Sequence, residues 1–271
     1  MAPKDIGLPS ADPIRSAAID ALKLPDLLET LWARLGRIDV RQSDFPMITM
    51  RRDEAWARVQ FTAGVSLLRH AELAYAAECQ LRGLLDYQAL VGWIVGKSMP
   101  KARGDPRCRA ICIETQRDRT MIGAAQASGA HLLPKGHIEA LTRRMQSHQR
   151  LLLRHGCRCA GSFNTTNVLK RLTDAGAVHK QTPERWRLTS QLVHQGLSDR
   201  VLKQVGGTVG FTPAPPSYRA GILIWLVRAY AITARWIVEL DDPLAASEFN
   251  TALVASIEKE DLGRALDGAY D

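Results

Sequence analysis

An arginine and a histidine seven residues apart, Arg187 and His194, stand in the stretch PERWRLTSQLVHQGLSD at residues 183–199. Ser190 and Gln191 lie between them, completing the helical spacing i, i+3, i+4, i+7. A surface helix ordinarily reserves that stripe for apolar residues facing its core. Seven helical residues rise about 10 Å, so two long side chains from one face can reach a single ligand group. A near-neutral imidazole takes or gives a proton, and a guanidinium stabilises an oxyanion or a phosphate. Together they are a minimal kit for phosphodiester cleavage without a metal, with Ser190 and Gln191 orienting the scissile group. Equally, the stripe reads as a buried polar brace at a helix interface, anchored by Leu188, Leu192 and Val193.

A second set, Glu78, Arg82 and Asp86, falls at successive i+4 positions in HAELAYAAECQLRGLLDYQALVGWIVG. Apolar residues surround it on nearly every side, so its charges are expected to be paired within the helix. Arg82 is also placed to project towards the Arg187–His194 helix and share its polar pocket. The cysteines of RCRAIC (Cys108, Cys112) and RHGCRC (Cys157, Cys159) do not have the spacing of a usual structural zinc knuckle. They are expected to be buried or surface free thiols, with no metal and no cofactor. A fourth stretch, NTTNVLKRLTDAGAVHKQTPERWRLT, resembles part of a winged helix-turn-helix. Its Lys170, Arg171, Lys180 and Arg185 could meet phosphates, although the following segment reads as helix rather than a second wing strand. Gly-rich phosphate loops, Ser–His–Asp elbows and His-Glu-x-x-His helices are absent from the sequence.

The elements that must position these residues are helical. The chain has 271 residues, 46% of them hydrophobic and 24% charged, which is the composition of a folded protein. Strand-like alternation is almost absent, and the periodicity predicts an all-α fold, a helical bundle of about eight helices. Helix starts are expected at Asp105-Pro106 and Thr182-Pro183, and a stop at Gly156. Residues 51–97 contain no proline and read as nearly continuous helix. The segments DVRQSDFPMITM and VGGTVGFTPAPPS read as loops. The division expected is an N-terminal helical extension at 1–49, a bundle at 50–240 with an insertion at about 130–182, and a helical tail at 241–271.

The excess of 36 Lys and Arg over 28 Asp and Glu, a formal +8, fits a nucleic-acid partner. The first residues carry no apolar signal core, so a cytoplasmic protein is expected. The apolar run GILIWLVRAYAITARWIVEL includes Arg228 and Arg235, and it reads as a core helix with no membrane partner.

The pairing of an early Arg82-x-x-x-Asp86 helix with a later Trp186-x-x-x-Ser190-x-x-x-His194 segment resembles a large bacterial family of helical proteins without a characterised function. That family is similar in turn to HEPN domains, helical bundles found in toxins, abortive-infection proteins and RNA-processing enzymes. The resemblance implies metal-independent RNA cleavage by an Arg followed, after four to six residues, by His, in a site often shared across a homodimer. Arg187 and His194 fit that count, but Leu188 stands where active members carry a polar residue. The alternatives are a non-catalytic regulator working through a protein partner, and a DNA-binding regulator using residues 164–187.

Overall fold

A computed structural model describes residues 45–98, 105–127, 134, 136–157, 163–195, 202–205, 208–211 and 213–241, with 18, 19, 21–23, 26 and 251. The chain is an all-α bundle. Its helices among the described residues are α1 (Phe45–Leu68), α2 (Ala74–Ile94), α3 (Pro106–Ala127), α4 (His137–Arg154), α5 (Thr165–Asp174), α6 (Thr182–Gln195) and α7 (Pro216–Asp241). One antiparallel hairpin joins α6 to α7, with β1 (Leu202–Val205) and β2 (Thr208–Phe211) paired from Leu202↔Phe211 to Val205↔Thr208. The expected extension and tail lie almost wholly outside the described residues.

Local signals set several of these ends. The Asp105 carboxylate accepts from the Arg107 N–H at 2.9 Å, and Pro106 opens α3. Asn164 caps α5 by accepting from the Asn167 N–H at 3.0 Å. Gly156, at φ +62°, ends α4: its N–H bonds to Leu153 O, and the Cys157 N–H bonds back to Leu152 O. That is the six-to-one and five-to-two pairing of a Schellman stop, which needs a left-handed residue and so favours glycine.

Three expectations are corrected. Phe45–Met50 is helix rather than loop, with Pro46 in the first turn, where its missing N–H costs nothing. Residues 205–211 contribute to a hairpin rather than a loop. Val205 and Thr208 pair across Gly206-Gly207, a two-residue connection of the kind tight hairpins favour. Thr182 is the first residue of α6, and its hydroxyl donates to the His179 carbonyl at 2.7 Å instead of capping.

The chain divides into two compact units. The first comprises residues 1–35, 57–85 and 186–271. Its core holds Phe61, Val65, Leu68, Leu81, Leu84, Leu223, Leu226, Tyr230 and Ile237, all buried. Phe61 stacks on Tyr230 with ring centroids 4.6 Å apart. A Cβ on Gly64 would stand 3.1 Å from the Leu226 methyls and 3.2 Å from Gln80 Cβ, so glycine lets α1 lie close to α2 and α7. The stretch expected to run unbroken over 51–97 divides at residues 69–73. Arg219 donates from Nε and Nη2 to the Leu68 carbonyl at 2.9 and 2.7 Å. The Ala71 carbonyl accepts from the Ala214 N–H at 3.0 Å. Carbonyls orphaned at the end of α1 thus find partners far along the chain. Helix α7 is long and apolar enough to cross a membrane, yet most of its surface is buried in the fold, with Arg228 and Arg235 exposed.

The second unit comprises residues 36–56 and 86–185. The Tyr87 hydroxyl donates to Met50 O at 2.9 Å, and Arg109 Nε donates to Ile94 O at 2.7 Å, closing the end of α2. Gln116 on α3 holds Phe163 from both sides: its side-chain N–H donates to Phe163 O at 3.1 Å, and its Oε1 accepts the Phe163 N–H at 2.8 Å. Phe163 in turn meets Trp93 edge-on at 6.1 Å. Helix α4 packs along α3 and buries Leu141, His148 and Leu152.

Candidate functional site

Helix α6 runs unbroken from Thr182 to Gln195, so Arg187 and His194 belong to one regular helix. Arg187 and Gln191 are exposed and Ser190 is half-buried; the side chain of His194 lies outside the described residues. The Ser190 hydroxyl oxygen is buried and makes no hydrogen bond among the described residues. Trp186, one residue before Arg187, lies beneath Arg82, whose guanidinium carbon is 5.1 Å from the ring centre. This is cation–π geometry, and it brings the charged α2 position and the α6 helix together in the first unit. Of the other α2 charges, Glu78 is buried and Asp86 half-buried. Lys170 and Arg171 on α5, and Lys180 in the following turn, are exposed, while Arg185 is half-buried.

The second unit holds a titratable cluster that the sequence reading did not single out. On α3, Glu114 and Asp118 lie one turn apart and point into the unit, both buried. Arg52 of α1 grips Glu114 with two parallel bonds of 2.9 and 2.7 Å. Arg117 grips Asp53 in the same way at 3.0 and 2.7 Å, and reaches Glu114 at 3.0 Å. Such forks match the planar guanidinium to the planar carboxylate. Asp118, 0% exposed, receives Arg144 of α4 through Nε at 3.0 Å to each oxygen, and through Nη2. His148, one turn after Arg144, places Nδ1 3.5 Å from the other Asp118 oxygen.

The electrostatics follow from burial and pairing. Burial pushes the Glu114 carboxyl up, but the hydrogen bonds and charge of Arg52, with those of Arg117, hold it below the usual carboxylate range. Hydrogen bonding to Asp118 raises Arg144. Burial lowers His148 more than Asp118 and Glu114 raise it, so it is neutral near pH 7. With each carboxylate taken by an arginine, the cluster is a brace tying α1, α3 and α4. The signal that could have found it is Glu114 and Asp118 at i, i+4, answered by Arg144 and His148 at i, i+4 on the next helix.

The cysteines depart from expectation. Cys108 on α3 and Cys157 after α4 are joined as a disulfide, with Cα atoms 5.9 Å apart, and Cys112 is also disulfide-bonded. They are not free thiols; the free thiol among the described residues is Cys79, which burial and then Glu78 push up. Among the described residues no three histidine, cysteine or carboxylate side chains stand together as a ready-made metal site.

Comparison with known proteins finds no matching family model, no matching curated protein and no matching solved structure.

Proposed function

We propose that this chain acts on RNA, cleaving it without a metal in a HEPN-like arrangement, in phage defence or a toxin-like role. Arg187 would hold the phosphate and stabilise its charge, and His194 would act as general acid or base. The observation that carries the reading is the exposure of Arg187 on an unbroken helix that also carries His194 two turns on. The exposed Lys170, Arg171 and Lys180 add positive charge that RNA would meet as phosphate contacts. A homodimer would let two such helices share one site. The test is degradation of a labelled RNA by purified protein in buffer with no divalent metal added. Wild type degrades it, while His194→Ala and Arg187→Ala, folded to the same extent, do not.

A second reading is a non-catalytic helical regulator that works through a protein partner. The Arg82–Trp186 contact favours it, because it gives the residue beside Arg187 a purely structural task. On this reading both variants leave RNA untouched, as wild type does. DNA regulation through residues 164–187 would show instead as a salt-sensitive shift of duplex DNA that Lys170→Ala and Arg171→Ala weaken together.

A further inference from the structure

The cysteine cluster lies away from the α6 stripe, and the proposed RNA chemistry makes no use of it. Cys108 and Cys112 stand one turn apart on α3, so their side chains share a helix face. The Schellman stop at Gly156 turns the chain leaving α4 so that Cys157 reaches Cys108, 49 residues away in sequence. Both α3 cysteines and Cys157 are half-buried, which leaves them reachable by solutes. Arg107, Arg154 and His155 flank them and are exposed; positive neighbours of this kind favour thiolate over thiol. The sequence places Cys159 two residues beyond Cys157.

Two elements delivering cysteine pairs to one place is the ligand supply a structural zinc ion takes, four thiolates at about 2.3 Å in a tetrahedron. A Cα separation of 5.9 Å between Cys108 and Cys157 suits two ligands of one ion as well as it suits a disulfide. A tetrathiolate zinc carries two net negative charges, and the flanking arginines complement them. We propose that these cysteines, when reduced, bind a structural zinc ion through Cys108, Cys112 and Cys157, with Cys159 as the fourth ligand. A dithiol reductant supplies two electrons and two protons to each disulfide and is itself oxidised to a disulfide. Zinc then displaces one proton per thiol as each Zn–S bond forms, with no further change of oxidation state. The ion would lock the end of α4 to the start of α3, the same junction that the disulfide closes.

The experiment takes the full-length chain, reduces it with a phosphine, desalts it without air and titrates it with cobalt(II). The expected result is saturation at one equivalent, with sulfur-to-cobalt charge-transfer bands and the strong visible bands of a tetrahedral site, bleached by one equivalent of zinc. Cys79→Ser gives the same titration, and Cys108→Ser and Cys157→Ser each lose charge-transfer intensity. Reduced wild type that develops no such bands overturns the proposal without reference to any variant. So does full intensity in the Cys108→Ser, Cys157→Ser double variant. An unchanged spectrum in Cys159→Ser removes that residue from the site.

Discussion

Arg82 on α2 lies over the ring of Trp186 on α6, and Trp186 immediately precedes Arg187. Successive residues on a helix are about 100° apart, so fixing Trp186 against Arg82 fixes the direction in which Arg187 leaves the helix. The structural contact and the candidate chemical group are therefore coupled through one peptide bond. Arg82→Met keeps the aliphatic stem and removes the charge, and should cost about 1 kcal/mol of stability. Chemical denaturation of wild type and variant measures it. An equal loss in a Trp186→Leu background would show that the charge acts elsewhere.

Asp118 and Arg144 form an asymmetric pair, the carboxylate 0% and the arginine 51% exposed. Asp118→Asn releases an arginine that can turn to water, and should cost about 2 kcal/mol. Arg144→Met strands a buried carboxylate beside His148 and should cost about 3–5 kcal/mol. The double variant should be less destabilised than the sum, and a double-mutant cycle in urea reads that coupling.

Stability should fall on acidification in two steps. Burial holds the folded His148 below its ordinary value of about 6.5, so the unfolded chain takes up the proton first and stability drops as pH falls through that value. Glu114 is depressed in the fold, so its contribution is fully present above the ordinary carboxylate range and is lost as pH falls through its lower folded value. His148→Gln should remove the first step and keep the second, as urea midpoints across the pH range would show.

Arg219 closes the end of α1 through two bonds to Leu68 O, from 151 residues away. Arg219→Leu leaves that carbonyl without its partner in a buried place and should cost about 2–3 kcal/mol. Hydrogen exchange at residues 66–73 should accelerate more than elsewhere in the first unit.

What the sequence made legible was local. Asp105-Pro106, Asn164 and Gly156 each act within a few residues, and the helices they bound are found there. The all-α class followed from the same periodicity. What stayed hidden depends on partners distant in sequence: the division of residues 51–97 by Arg219 and Ala214, and the grip of Arg52 on Glu114. The Cys108–Cys157 pairing was hidden for the same reason, since spacing within each cysteine pair says nothing of which pairs meet. In the α6 stripe the spacing of Arg187 and His194 was legible, and the contact that orients their helix, Arg82 on Trp186, was anticipated only as a direction of projection.

The measurement that bears most directly on the RNA-cleavage reading is single-turnover RNA cleavage by wild type, His194→Ala and Arg187→Ala, with no divalent metal and with each variant's unfolding midpoint measured alongside. The account predicts cleavage by wild type and a loss of at least about a hundredfold in His194→Ala at unchanged stability. Equal cleavage by wild type and His194→Ala, or no cleavage by any of the three, would contradict it.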